Sequence, residues 1–154
     1  MSSTEIEPSI LATVRNRIGH LTLNRPQSLN ALTLAMVRLL KQHLHAWEQD
    51  PDVVAVVLRA AGEKAFCAGG DIRMLYESQK VGDGVHQVFF AEEYALDEYI
   101  HTYPKPVLAL IDGLVLGGGM GLVQGASLRV ITERTRMGMP EVAIGFFPDV
   151  GGSY

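Results

Sequence analysis

Two carboxylates and two glycine clusters are the residues of this chain whose types and spacing suit chemistry. Glu141, in Met139-Pro140-Glu141, and Asp149, in Phe147-Pro148-Asp149, each sit beside a proline in one apolar loop with Val142, Ala143, Ile144, Phe146, Phe147 and Val150. An acid in such company is desolvated, which raises its pKa toward that of a base or nucleophile working near neutrality. A solvated loop carboxylate or a helix cap is the competing reading of either one. The glycine clusters are Cys67-Ala68-Gly69-Gly70-Asp71 and Gly117-Gly118-Gly119-Met120-Gly121. Without Cβ atoms, adjacent glycines let a backbone approach a ligand and aim N–H groups at it. The second cluster follows an apolar run and opens a short helix, whose first N–H groups suit a developing oxyanion. An ordinary turn for the first cluster, and tight helix–strand packing for the second, are the structural alternatives. A nucleotide-binding loop is the obvious rival for the second cluster, but no frame gives G-x-G-x-x-G and no Gly-Lys-Ser/Thr follows, so both phosphate-loop signatures fail.

Other reactive residue types form no constellation. His43 and His45 stand two apart on a helix and face different directions, while His20, His86 and His101 have no ligand spacing. No metal is expected. No histidine is tied to Cys67 by sequence, so that residue reads as packing. The tail Gly151-Gly152-Ser153-Tyr154 fits four positions of the G-x-S-x-G elbow, but its serine follows a loop rather than a strand.

The elements that must position these groups alternate between strand and helix, an α/β pattern. Residues 10–14 and 18–23 are β-prone and read as a hairpin around Asn16-Arg17, with Arg25-Pro26 breaking the second strand. Thr33 caps a helix to about Gln49 whose face is Leu34, Val37, Leu40, Leu44 and Trp47. A strand at 53–58, continuous in β-branched residues, is expected to be buried, and 60–70 is a loop. A helix at 85–100, a buried strand at 107–111, a strand at 128–132 and a Gly- and Pro-rich loop from Pro140 complete the pattern. No internal repeat is visible. Gly151-Gly152-Ser153 reads as a helix start with no helix after it.

Of the 154 residues, 47% are apolar and 19% charged, a globular composition with room for one domain. The net charge of −4, with 13 basic residues scattered among 17 acidic ones, excludes a nucleic-acid footprint. No apolar run approaches the ~20 residues of a membrane span. One cysteine excludes an internal disulfide and fits a reducing compartment. Residues 1–8 carry Glu5 and Glu7 and no basic or apolar run, so the expectation is a cytoplasmic protein with a flexible N-terminus over 1–9 and one partial catalytic domain over 10–154.

Four blocks in order resemble the crotonase (enoyl-CoA hydratase/isomerase) superfamily: Asn24-Arg25-Pro26 with Leu29-Asn30-Ala31-Leu32; Ala65 to Asp71; Gly117 to Gly121; and Met139-Pro140-Glu141. The resemblance implies a spiral of ββα units that binds a coenzyme A thioester, with oxyanion-hole N–H groups at Gly70 and Gly118. It implies no cofactor, coenzyme A being part of the substrate, and a homo-oligomer for the full-length protein. Hydratases of the family carry a glutamate where this chain has Gly121, and glycine where it has Asp149. Glu141 with Asp149 is instead similar to the 3-hydroxyisobutyryl-CoA hydrolase subgroup, which acts in valine catabolism, and Glu93 matches a substrate-contacting position there. The resemblance thus implies 3-hydroxyacyl-CoA hydrolysis. Glu141 would be nucleophile or base, Asp149 would orient the hydroxyl or water, and Arg73 would meet a coenzyme A phosphate or lie free in solvent. A hydratase or isomerase using Glu141 alone is the alternative. Because relatives run to about twice this length, the expectation is an amino-terminal half, truncated before the carboxy-terminal helices, that either needs the remainder for activity or only binds coenzyme A thioesters.

Overall fold

The computed structural model describes residues 7–152. Most of the flexible stretch expected over 1–9, and the helix start expected at Ser153, therefore lie outside the described residues.

Strands β1 (Ile10–Arg15) and β2 (Ile18–Leu23) pair antiparallel, Ile10 opposite Leu23 and Arg15 opposite Ile18. The turn residues Asn16 and Arg17 both take positive φ, 52° and 65°, the mirror-image turn whose twist matches that of the strands. Pro26–Ser28 then forms a single 3₁₀ turn. Just beyond it, the buried Asn30 donates from Nδ2 to the carbonyls of Ala61 and Ala65, each at 2.9 Å, and accepts from Arg25 N at 2.8 Å. Arg25 in turn donates to Ala31 O at 2.7 Å and pairs with Asp71 at 3.1 Å. Leu32 bridges Gly70 as a parallel pair, Leu32 N donating to Gly69 O and Asp71 N to Leu32 O, both at 2.8 Å. The first two sequence blocks thus form one clamp that fixes the Gly69-Gly70 loop.

Thr33 caps α1 (Leu34–Gln49), its hydroxyl accepting from Met36 N at 3.3 Å. The buried face is Met36, Val37, Leu40, Leu44 and Trp47, with Leu34 only half-buried. Next come β3 (Ala55–Ala60), β4 (Ala65–Cys67), α2 (Ile72–Val81) and α3 (Val85–His101). They are followed by β5 (Val107–Ile111), β6 (Leu114–Leu116) and α4 (Gly118–Gln124), then β7 (Leu128–Ile131), β8 (Arg136–Gly138) and a 3₁₀ turn at Glu141–Ile144.

The larger sheet has the order β1-β2-β3-β5-β7, parallel after the hairpin, and the smaller one has β4-β6-β8, all parallel. After the β1–β2 hairpin, which lies wholly in the large sheet, each successive pair of strands gives its first member to the large sheet and its second to the small one, a spiral of ββα turns. The turns share geometry and not residues, so no repeat shows in the sequence.

Three expectations are corrected. The strand placed at 53–58 runs from Ala55 to Ala60. Helix α2 and the short strands β4, β6 and β8 occupy segments read as loops or left unassigned. The large sheet is covered on one face only: Val56, Leu58, Val107, Ala109 and Ile111 point into the core with α1 and α3, whereas Leu110 is 40% exposed.

Candidate active site

The two glycine clusters meet because β4 and β6 lie side by side in the small sheet, Ala65 opposite Leu114 and Cys67 opposite Val115. A Cβ built on Gly118 would stand 3.5 Å from Gly70 N. Covalent geometry puts a Cβ about 2.5 Å from its own nitrogen, so the two amide nitrogens are at most about 6 Å apart. Gly70 N takes no part in the bridge to Leu32, and Gly118 opens α4, where first-turn N–H groups have no helical acceptor. Gly117 takes φ 48° and ψ −119°, a conformation that favours glycine, and is held by its N–H to Gly138 O at 3.2 Å.

Carboxylates fill the space that these glycines leave. The Cβ position of Gly117 is 2.6 Å from Glu141 Oε1, that of Gly118 is 2.0 Å from Glu93 Oε1, and that of Gly121 is 2.2 Å from Asp97 Oδ2. Glu141 starts the 3₁₀ turn after β8, while Glu93 and Asp97 stand one helical turn apart on the buried face of α3 with Phe89, Leu96 and Ile100. All three acids are at least nine-tenths buried, and Glu93 Oε1, both Asp97 oxygens and Glu141 Oε2 have no hydrogen-bond partner among the described residues. Burial, then the charges of Asp149 and Glu141, push Glu93 up to about 8. Burial, then Glu93 and Asp149, push Asp97 up to about 9.

Asp149 approaches from the last loop. Tyr94 Oη donates to its Oδ2 at 2.5 Å, and Gln124 Nε2 holds the adjacent Val150 carbonyl at 2.8 Å. Burial, followed by that hydrogen bond, raises the Tyr94 phenol well above its ordinary range. Phe146 stacks on Phe90 and Phe147 on Phe146, with ring centres 5.7 and 4.6 Å apart, yet Phe147 stays 62% exposed. Asp149, Tyr94, Asp97 and Gly121 line a cleft of about 670 Å³. Glu93 and Glu141 lie beneath the glycine loops and not on that wall.

Of the residues singled out in the sequence, Gly70, Gly118, Glu93, Glu141 and Asp149 are gathered here. Arg73 is not. It is exposed on the first turn of α2 and makes no ion pair among the described residues. Sequence reasoning missed Asp97 and Tyr94. The signal for Asp97 was available: an acid four residues after Glu93, on the same face as Phe89 and Ile100. No group of three or more His, Cys, Asp or Glu side chains is arranged to hold a metal among the described residues, and no described helix is long and apolar enough to cross a membrane.

Raised carboxyl pKa values make stability depend on pH. Glu93 and Asp97 ordinarily titrate at 4.5 and 3.8, but in the fold at about 8 and about 9. The folded protein then holds protons that the unfolded chain has lost, so the stability they support is complete below pH about 4 and lost as pH rises through 8 to 9. The expected result is a Tm that falls between pH 5 and 9, with a slope of up to about 1.4 kcal/mol per pH unit for each retained proton. Glu93→Gln/Asp97→Asn should flatten that fall. Parallel Tm–pH curves for the parent and the double variant would contradict the assignment.

A spiral of ββα turns, with paired glycine loops closing over buried carboxylates, defines an α/β protein of the crotonase fold class. The enoyl-CoA hydratase/isomerase family model matches residues 18–154, and the chain belongs to that family. It is 49% identical over 154 residues to the mitochondrial 3-hydroxyisobutyryl-CoA hydrolase of Danio rerio, covering all of this chain and 40% of that protein. The Xenopus tropicalis protein of the same name is 54% identical over 136 residues, 88% of this chain and 35% of that one. The crystal structure of an enoyl-CoA hydratase from Rhodobacter sphaeroides superposes with a TM-score of 0.91 at 44% identity, covering 95% of this chain and 44% of that one. The chain thus spans 35–40% of the length of these curated relatives. Their names also overturn the cytoplasmic expectation, since both are mitochondrial. That expectation rested on the first eight residues and one cysteine, and a reduced thiol fits any reducing compartment.

Proposed function

We propose that this chain carries the site for hydrolysing a 3-hydroxyacyl-CoA thioester of the 3-hydroxyisobutyryl-CoA type, in the mitochondrial breakdown of valine. The observation that carries the reading is the packing of Glu141 against Gly117, beside the converging Gly70 and Gly118 amides, with no side chain at position 121. The names of the Danio rerio and Xenopus tropicalis relatives support it.

In this reading the thioester oxygen sits between the Gly70 and Gly118 N–H groups, which stabilise the oxyanion formed on attack at the carbonyl carbon. Glu141 attacks that carbon itself or removes a proton from the attacking water. Both routes pass through a tetrahedral oxyanion and need the same hole. Glu93, protonated at neutral pH by its burial, meets the substrate as a hydrogen-bond donor and adds no second negative charge beside Glu141. Asp149, held by Tyr94, orients the 3-hydroxyl group or the water. Coenzyme A enters as part of the substrate.

The test is to supply 3-hydroxyisobutyryl-CoA and follow free thiol, and in parallel to supply a 2-enoyl-CoA and follow loss of enoyl absorbance. Thiol release without enoyl loss is the expected result. Enoyl hydration with no thiol release would transfer the site to the hydratase reading.

A further inference from the structure

Gly121 and Asp97 are fitted to each other in a way that the roles of Glu141, Glu93 and Asp149 leave unexplained. A Cβ on Gly121 would lie 2.2, 2.6 and 2.7 Å from the three carboxyl atoms of Asp97, so the acid of α3 occupies the room a side chain from α4 would take. Both Asp97 oxygens are buried without a hydrogen-bond partner among the described residues, yet Asp97 and Gly121 both line the 670 Å³ cleft. A buried carboxyl with two unmet oxygens on a cleft wall is costly to keep. Neither oxygen is exposed, so a group that arrives in the cleft meets the carboxyl when the Asp97 side chain turns outward.

We propose that Asp97 is a further catalytic residue: from the space left by Gly121, its carboxyl group gives its proton to the thiolate expelled from the thioester. The inference rests on the hydrolase reading above. When the tetrahedral oxyanion collapses, the carbon–sulfur bond breaks with its electron pair passing to sulfur. The Asp97 proton passes to the same sulfur to make the thiol, leaving Asp97 as a carboxylate. Water supplies hydroxide to the acyl carbon and its proton to Glu141, and that proton returns to Asp97 through solvent in the cleft. If Glu141 is the nucleophile, the thiol leaves in the first step with the Asp97 proton, and the water that opens the acyl-enzyme restores it.

The charged and titratable surroundings favour the neutral acid. Glu93, Tyr94, Glu98 and His101 face Asp97 from or along α3, Cys67 from β4, and Asp149 from the last loop, while α4 contributes no charge. Burial, with Glu93 and Asp149 behind it, pushes Asp97 up to about 9. A thiol titrates near pH ~8.5, and proton transfer between groups of matched pKa is efficient.

Leaving-group dependence tests the role, because an expelled nitrothiophenolate is stable without a proton. The chain, carried in a protein of its relatives' full length, and its Asp97→Asn variant are assayed with a 3-hydroxyacyl-CoA and with the matching nitrothiophenyl thioester. Asp97→Asn should lower kcat at least ~10²-fold on the coenzyme A thioester, the scale of acid–base work, and less than about 3-fold on the nitrothiophenyl ester. Gly121→Ala, which displaces the acid without removing it, should show the same split. Equal losses on the two esters in both variants would make Asp97 a structural residue, and no loss on either would remove it from the reaction. A parent protein that cleaves neither ester overturns the hydrolase reading and this proposal with it. Normal turnover by Asp97→Asn overturns the proposal alone.

Discussion

Glu141→Gln should lower thioester hydrolysis at least ~10²-fold while leaving the fold intact, the usual scale for loss of an acid–base group or nucleophile. The amide is close to isosteric, so the packing against Gly117, where the carboxylate stands 2.6 Å from the Cβ position, is kept. What is lost is the ability to take a proton or to attack carbon. The 3₁₀ turn survives because its bonds are made by the backbone, Phe146 N to Glu141 O at 3.0 Å among them. Substrate binding should change little, since the hole is built from the amides of Gly70 and Gly118, and the effect should fall on kcat. Thiol release measured beside a Tm comparison checks both halves. A variant with at least a tenth of normal turnover would remove Glu141 from the chemistry.

How much of this was legible in the sequence depends on which signal each element carried. Helices α1 and α3 announce themselves because a buried face must repeat every three or four residues, and in both it does. Helix α2 is harder to see because it is only ten residues long and fully buries only Ser78, although Ile72, Leu75 and Tyr76 do recur at helical spacing and Met74 and Leu75 pack partly against the core. Its caps were visible all the same: Asp71 accepts from Met74 N at 3.2 Å, and Gly82 closes the helix at φ 70°. Strands of three residues, such as β4 and β8, are too short to show a period of two. They are found only through the sheet that pairs them.

The site shows the same division. Glu141 and Asp149 stand out because proline and aromatic neighbours frame them, whereas Glu93 came only from family resemblance. Asp97 was passed over because a lone acid in a helix reads as a solvated surface group, and only its alignment with Phe89, Leu96 and Ile100 says otherwise. Arg73 follows Gly70 closely in sequence, but that closeness does not orient a side chain, and α2 carries it to the surface away from the buried acids. The compartment left no mark in the residues that build the fold.

Gly119→Ala should destabilise the protein by at least ~3 kcal/mol, at or above the upper end of ordinary overpacking. The added methyl would stand 2.5 Å from Cys67 O, 2.9 Å from Cys67 Cβ and 3.2 Å from Cys67 C. Two of those three atoms are backbone, so no rotamer change relieves the contact. Cys67 lies in β4, which is buried along its length and paired with β6, and the loop after it is tied by Ala68 N to Leu29 O at 3.0 Å. Relief requires α4 to lift from the small sheet or β4 to shift, and either motion separates Gly118 from Gly70. Alanine is the better helix former by about 1 kcal/mol, which offsets only part of the clash. At Gly118 and Gly121 the nearest obstacles are the tips of Glu93 and Asp97, which can rotate, so alanine there should cost less. For a domain of this size the loss corresponds to a fall in Tm of roughly 6–12 °C. Thermal unfolding of the three alanine variants side by side checks the order. A Gly119→Ala protein melting within a degree of the parent would mean that α4 does not rest on β4 as described.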